Sequence, residues 1–224
     1  ENEQAILHIL TGNCSVAIRP LAGGPMRVMH NLGERTDVFS GRPTTLLLGS
    51  DTHFSVVTET EVDALLVVLD QPLVYPPTLI RPRDVRIREL GEATHRRTVR
   101  EVVGPRYAPF GIRRGETLNI KGGWSSWPPH AGEAACTSEN SYERFHYFTR
   151  PSSGYGYQLV GTNEHPDPFF NGDVHDIPLG INHAVVGGPD TEVLYVWYFT
   201  GPFEKNYPVR AEDGNMYAGG EGNQ

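Results

Sequence analysis

Short runs of β-branched and aromatic residues, separated by Gly, Pro, Asp and Asn, recur along the whole chain. Such runs are typical of strands joined by turns, and they predict strands at 5–10, 43–48, 55–60, 63–70, 84–89, 98–103, 142–149, 157–162 and 192–200. Val85 and Ile87 alternate with Arg86 and Arg88, the period of two expected of a sheet with one wet face. No stretch of sequence keeps a helical period for more than about two turns. The pattern therefore predicts an all-β protein, a sandwich or a barrel.

Composition and charge narrow the possible functions. The chain has 224 residues, 38% of them hydrophobic, so a core can form, while 25 Gly and 18 Pro disfavour long helices. The net charge of −8 argues against general nucleic-acid affinity. The longest apolar run, 64–69, is too short to cross a membrane, and two Cys exclude a disulfide framework. We therefore expect a cytoplasmic protein without nucleic-acid or membrane binding.

Two segments have a biased composition. Residues 81–114 contain ten of the seventeen Arg and only four acids, which is compatible with a polyanion-binding strip. Alternating Arg on an exposed sheet face is the simpler interpretation, because such side chains are solvated and protect strand edges. Residues 204–224 are Gly-rich and polar and predict an extended tail. The chain opens at Glu1 without Met, so we expect residues before it to be missing or processed.

The most specific local motif ends at His183 and has the form G-x5-P-x-G-x2-H, with Gly172, Pro178 and Gly180 as its other members. It resembles the second sequence motif of the cupin superfamily. The Pro and the second Gly shape a tight turn that would direct His183 into the mouth of a barrel, where an imidazole can ligate a metal. A lone His after a turn is more often structural. The full spacing favours the metal-ligand interpretation.

A second set of metal-type side chains lies upstream of this motif. His130 ends the run Trp-Ser-Ser-Trp-Pro-Pro-His, and Glu143 lies at the start of a predicted strand. On that strand Glu143 shares a face with Phe145, whereas Arg144 and His146 share the other. Two or three His and one carboxylate can bind a divalent metal and leave positions open for substrate. The alternatives are an exposed strand carboxylate at Glu143 and a surface turn at His130.

These segments together resemble the 5-deoxy-glucuronate isomerase family of inositol catabolism, a bicupin family related to the hexuronate ketol-isomerase of pectin breakdown. In the C-terminal half the resemblance rests on residues 122–130, 143–148 and 178–183. In the N-terminal half it rests on Leu-Gly-Glu-Arg-Thr-Asp-Val-Phe at 32–39 and Pro-Arg-Asp at 82–84. It extends from the first predicted strand to residues 201–202. We expect the family's opening segment to be absent before Glu1 and its C-terminal segment not to be recognisable after Phe203.

The resemblance implies a fold and a metal site. The implied fold is a bicupin, two β-sandwich or jelly-roll barrels in one chain, with an N-terminal cupin lacking a metal at 1–104, a C-terminal cupin with the metal site at 105–203, and the tail at 204–224. His130, Glu143 and His183 would be ligands of one divalent ion, with zinc or manganese expected first and iron or nickel as alternatives. Family members usually have a second His where this chain has Gly132. The site is therefore held by three ligands, supplemented by Glu133, or weakened and empty.

The implied reaction is the aldose–ketose isomerisation of a deoxyuronic acid such as 5-deoxy-glucuronate. Moving a proton between adjacent carbons requires a base, an acid and an electrophile that stabilises the enediolate, and a divalent metal would be that electrophile. The candidates for the proton shuttle are Glu133, Tyr142, Lys121 and Tyr195, of which the last is also a core candidate. The candidates for substrate binding are an aromatic wall and two guanidinium groups, Trp127, Arg144 and Arg150.

Two other functions stay open, because cupins host many chemistries. One is an enzyme on the same scaffold with changed chemistry, such as another isomerisation, an epimerisation or an oxygenation, in which Gly132 opens a coordination position. The other is a binding or structural bicupin that has lost its metal. Metal content separates these functions most directly. Long exposed strand edges also predict a homo-oligomer.

Overall fold

The computed structural model describes residues 3–58, 60–70, 73–104, 107, 112–131, 142–161, 166–178, 180–200, 209–210 and 216–217. The secondary structure in these ranges is nearly all antiparallel strand, with two single 3₁₀ turns at Pro82–Asp84 and Ala93–His95. The predicted all-β class is therefore confirmed. Within the same ranges no helix is long and apolar enough to span a bilayer. The chain divides into two compact units, Glu1–Val85 and Arg86–Gln224.

The first unit is a sandwich of two antiparallel sheets. Its strands are β1 (Glu3–Thr11), β2 (Cys14–Pro20), β3 (Arg27–Leu32), β4 (Thr44–Leu48), β5 (Thr52–Thr58), β6 (Asp63–Asp70) and β7 (Thr78–Ile80). One sheet has the order β6-β1-β4-β7 and the other has the order β3-β2-β5. Side chains from both sheets form one core, in which Val16, Leu32 and Leu46 are fully buried. Burial of these side chains away from water makes the main contribution to the stability of the unit.

The second unit is also a sandwich. Its strands are β8 (Arg86–Leu90), β9 (Arg97–Val103), β10 (Ile112–Asn119), β11 (Trp124–Ala131), β12 (Tyr142–Arg150), β13 (Tyr155–Val160), β14 (Asp167–Phe170), β15 (Val174–Pro178), β16 (Asn182–Gly187), β17 (Glu192–Thr200), β18 (Val209–Arg210) and β19 (Met216–Tyr217). A six-stranded sheet has the order β15-β12-β17-β10-β9-β8, and a four-stranded sheet has the order β11-β16-β13-β14. The core between them is aromatic, with Phe145, Tyr147 and Tyr195 at its centre. Strands β18 and β19 pair only with each other among the described strands.

Each predicted strand has a counterpart in the structure, but several observed strands were not predicted. Strand β10 is the clearest case. Arg113, Arg114 and Glu116 interrupt its apolar pattern, yet all three side chains are buried. Strands β8 and β9 precede residue 104 and pair into the same sheet as β10. The domain boundary predicted after residue 104 stays a prediction.

The Arg-rich segment is only partly the solvated face that its sequence suggested, since Arg83, Arg86 and Arg96 are exposed. Arg97, Arg100, Arg113 and Arg114 are all buried, so that interpretation is wrong for these four. A buried guanidinium requires compensation. Glu116, which lies opposite Arg100 in the pairing of β9 with β10, compensates its charge. Arg100 Nη1 lies 2.9 Å from the Glu116 carboxylate. Alternation along one strand shows which residues share a face, but not whether another part of the molecule covers that face.

Candidate functional site

Two histidines that are distant in sequence lie directly opposite each other in the four-stranded sheet. Strands β11 and β16 are antiparallel, and their register pairs His130 with His183. The register shifts between Ser125 and His130, so the pairing of β11 with β16 is interrupted between its two parts. The imidazole centroids of His130 and His183 lie 5.4 Å apart with planes inclined at 46°. The two side chains therefore lie at one end of the sandwich.

Glu143 approaches the same position from the facing sheet. It is the second residue of β12, and its side chain points into the sandwich because Glu143 and Phe145 are buried on one face. Glu143 Oε2 lies 3.6 Å from His183 Nε2. The Phe145 ring packs edge-on against the His183 ring at 5.4 Å. The alternation predicted for this strand thus brings a carboxylate and an apolar wall against the His183 imidazole.

Burial sets the protonation state of His183. The residue is only 2% exposed, and desolvation, followed by the charge of His130, lowers the pKa of His183 to about 4, against a smaller raising effect of the Ile181 carbonyl. Its imidazole is therefore neutral at pH 7. Since the Ile181 carbonyl lies 3.3 Å from Nδ1 and can only accept, Nδ1 carries the proton and Nε2 presents its lone pair. His130 has the same arrangement, with Nδ1 3.3 Å from the Pro128 carbonyl.

The donor types suit a divalent cation. A neutral imidazole nitrogen and a carboxylate oxygen that face each other repel, and a cation between them turns this repulsion into attraction. Backbone carbonyls that orient ligating imidazoles are usual around protein metal sites. Within the described ranges, however, no three His, Cys, Asp or Glu side chains are close enough together to hold an ion as they stand. The assignment of His130, Glu143 and His183 as metal ligands stays a prediction.

The candidates for the proton shuttle are dispersed. Glu133 and the Tyr142 side chain lie outside the described residues. Lys121 is exposed in the turn before β11, at the end of that strand remote from His130. Tyr195 is buried in the core, and its hydroxyl donates to Ser125 Oγ at 2.9 Å.

Tyr195 is also distant from the carboxylate along its strand. Its partner on β12 is Tyr147, whereas the partner of Glu143 is Phe199. Four residues of extended chain correspond to about 13 Å. The structure therefore does not bring Tyr195 to the end of the sandwich that holds Glu143.

The candidates for substrate binding also lie apart from one another. Trp127 is 44% exposed and packs edge-on against Trp124 at 5.1 Å. Arg144 points to the face opposite Glu143, where it forms a two-pronged ion pair with Asp176, with distances of 2.5 and 2.6 Å. Arg150, at the far end of β12, lies 2.6 Å from a carboxylate oxygen of Glu192. Both guanidinium groups are thus engaged by carboxylates of the chain.

Sequence reasoning missed a polar network inside the second unit. Asn119 Nδ2 donates to Ser125 Oγ at 2.9 Å, and the Tyr195 hydroxyl donates to the same oxygen. The Tyr147 hydroxyl donates to the buried Gln158 side chain. Burial raises the pKa of both tyrosines, so their hydroxyls stay protonated donors. Alternation along the strands is the sequence signal that could identify these polar groups, because it places them on inward faces.

Comparison with known proteins agrees with this architecture. The KduI/IolB family model matches residues 1–213. The chain is similar to a 5-deoxy-glucuronate isomerase from Bacillus licheniformis, with 28% identity over 189 residues that cover 80% of this chain and 69% of the relative.

Among solved structures, an IolB-like protein from Salmonella typhimurium LT2 is similar, with a TM-score of 0.79, 20% identity, and coverage of 92% of this chain and 81% of that chain. An oxalate decarboxylase from Bacillus subtilis, described with Mn(II) centres, is similar with a TM-score of 0.57, 13% identity, and coverage of 91% and 65%. These structural likenesses support the bicupin fold. The chain therefore belongs to the KduI/IolB family, and it is an isomerase of that family.

Proposed function

We propose that the chain is a metal-dependent aldose–ketose isomerase that acts on a deoxyuronic acid such as 5-deoxy-glucuronate. Family membership supports the isomerase chemistry. The approach of His183 Nε2 to Glu143 Oε2, at 3.6 Å, is the single observation that most supports a metal. In this reaction the aldehyde carbon gains a proton and the neighbouring hydroxyl-bearing carbon loses one, while a proton moves from that hydroxyl oxygen to the former carbonyl oxygen. No external oxidant or reductant is required.

A divalent ion held by His130, Glu143 and His183 would supply the Lewis acid that polarises the carbonyl and stabilises the enediolate. The chain's own residues prepare this position. The carbonyls of Pro128 and Ile181 orient both imidazoles through Nδ1. Burial keeps the His183 imidazole neutral at pH 7, as ligation requires. Zinc or manganese is expected in this site, with iron or nickel as alternatives.

We assign the proton shuttle to Tyr142 or Glu133. Both are close in sequence to the ligand candidates, whereas the Tyr195 hydroxyl is bound to Ser125 in the core and Lys121 is exposed at the remote end of β11. A shuttle residue is required for the reaction but not for binding the metal. Tyr142→Phe should therefore lower kcat by about 10²–10⁴ while the bound metal stays unchanged. Glu133→Gln should lower kcat by the same amount, and loss of the metal from this variant would assign Glu133 as a fourth ligand instead.

The proposal is tested by measuring metal content and turnover on the same protein preparations. Elemental analysis of protein purified without chelator should give about one divalent ion per chain, and formation of the ketose should be followed by NMR with 5-deoxy-glucuronate. His183→Gln and Glu143→Gln should lose both the metal and the activity. His53→Gln, an exposed histidine of the first unit, is the matched control and should keep both. Full turnover by metal-stripped protein would overturn the proposal.

A changed chemistry is the second candidate, and Gly132 favours it. The resemblance places a fourth ligand at this position, and glycine offers no side chain for coordination. Gly132→His would restore the imidazole. If the wild type binds metal but does not turn over 5-deoxy-glucuronate, whereas Gly132→His does, the natural reaction is a different one on the same scaffold. If neither binds metal, the metal dependence of the proposed reaction is refuted.

A further inference from the structure

The first unit has a cleft of about 410 Å³, and the residues that line it are distant in sequence from those of the proposed metal site. It is lined by Glu34, Arg81, Pro82 and Arg83. Glu34 belongs to segment 32–39, and Pro82 and Arg83 belong to segment 82–84, which Arg81 precedes. These are the two N-terminal segments on which the family resemblance rests. The proposed isomerase chemistry uses neither segment. The volume of the cleft lies in the range of small-molecule sites.

Buried hydrogen bonds hold the wall that contains Glu34. Arg35 is only 6% exposed, and its Nε donates to the Leu10 carbonyl at 2.5 Å while its Nη1 donates to the Val38 carbonyl at 3.3 Å. The Asp37 carboxylate accepts a hydrogen bond from the Phe39 amide at 3.0 Å. Arg35 and Asp37 therefore fix the backbone, and the neighbouring Glu34 is left exposed at the cleft.

The segment that contributes Arg81, Pro82 and Arg83 is held in the same way. Arg42 donates from Nη1 to the Val85 carbonyl at 3.1 Å and to the Pro82 carbonyl at 3.4 Å. The Arg81 amide donates to the Asp84 carboxylate at 3.1 Å, which closes the 3₁₀ turn. The backbone that presents the cleft residues is thus hydrogen-bonded on both sides. A preformed backbone reduces the ordering cost of binding a ligand.

The ionic groups of the cleft have no ionic or hydrogen-bonding partner among the described residues. No such contact involves the guanidinium groups of Arg81 and Arg83 or the carboxylate of Glu34 within that part of the chain. Each guanidinium can bind a carboxylate through two parallel hydrogen bonds. A carboxylate such as Glu34 accepts hydrogen bonds from hydroxyl groups and repels a second negative charge. Pro82 contributes an apolar surface between them.

We infer that this cleft is a second binding site, specific for a polyhydroxylated monocarboxylate. The ligand carboxylate would bind Arg81 and Arg83, and a hydroxyl group would donate to Glu34. A dianionic phosphate is disfavoured because Glu34 faces the same space. A six-carbon sugar acid has the required charge and hydroxyl groups and fits within the volume of the cleft. The inference concerns binding by the first unit and does not depend on the reaction of the second.

Titration calorimetry of the full chain with D-gluconate tests the site, with inorganic phosphate and glucose as comparison probes. The expected dissociation constant for gluconate is on the order of 1 mM. Arg81→Gln together with Arg83→Gln should weaken gluconate binding at least about 10-fold, because charged hydrogen bonds are lost. Arg19→Gln, which removes an exposed charge from the same unit, is the matched control. It should leave binding unchanged.

Two further variants separate this site from the alternatives. His183→Gln should bind gluconate like the wild type, so binding that disappears with His183 belongs to the second unit and overturns the inference. Glu34→Gln should raise the affinity for phosphate relative to gluconate by about 10-fold, since the repelling charge is gone. Equal binding by the Arg81/Arg83 double variant, or phosphate binding as tight as gluconate in the wild type, would also overturn it.

Discussion

His146 should make the second unit sensitive to acid. It lies on the face of β12 that points away from Glu143, and its ring stacks on Tyr198 at 6.0 Å. Burial, then the positive charges of Arg114 and Arg144, lower the pKa of His146 from 6.5 to about 4. Asp176 opposes this shift by a smaller amount. The folded state therefore resists protonation at a pH where the unfolded chain accepts a proton.

The sign and size of the effect follow from linkage. As the pH falls from 6.5 towards 4, the unfolded state binds a proton at His146 that the folded state does not, so the free energy of unfolding decreases. At 1.36 kcal/mol per pH unit, the full shift corresponds to about 3 kcal/mol. Between pH 7 and pH 5 only the part of the shift from pH 6.5 to pH 5 contributes, which is about 2 kcal/mol, and screening of the partly solvated His146 sets the expected loss at about 1–2 kcal/mol.

Urea unfolding at pH 7 and at pH 5 measures this loss. Trp124, Trp127 and Trp197 are the three tryptophans of the chain, and all lie in the second unit, so their fluorescence reports on the unit that contains His146. The wild type should lose about 1–2 kcal/mol more on acidification than His146→Gln, a midpoint difference of roughly 0.5–1 M urea.

A second substitution separates titration from packing. His146→Phe keeps a ring against Tyr198 but cannot be protonated, so it should show the same reduced pH dependence as His146→Gln. The pKa of His183 is also lowered, but this contribution is common to all three proteins and cancels. If both variants lose as much stability as the wild type between pH 7 and pH 5, the argument from desolvation and positive charge is refuted.

Two other predictions concern buried polar groups. Arg100→Met or Glu116→Leu alone should lower the free energy of unfolding by about 3–5 kcal/mol, because each leaves an uncompensated buried charge. The double variant should recover most of that loss. Equal losses in the two single variants and the double variant, measured by urea unfolding, would contradict this. Tyr147→Phe should cost about 1–3 kcal/mol by leaving the buried Gln158 acceptor without its donor. A Tyr147→Phe midpoint equal to the wild type in the same assay would show that this hydrogen bond adds no net stability.

The fold class and the alternation of single strands could be predicted from the sequence, because both depend on local chemistry. The inward face of β12 is an example, since Phe145 and Tyr147 share it at a period of two. Strand β10 could not be predicted, because its stability comes from sheet neighbours on both sides rather than from an apolar pattern. The same limit applies to Arg100 and Arg114, because a strand pattern does not indicate which parts of the molecule cover their face.

The site divides in the same way. The residue types available to the site follow from local sequence, through the motif that ends at His183 and the strand that starts near Glu143. The positions of these residues in space do not: His130 faces His183 across β11 and β16, Glu143 approaches His183 from the other sheet, and Tyr195 lies elsewhere. Distances between sheets depend on long-range pairing and on the register shift in β11, and a linear pattern contains neither.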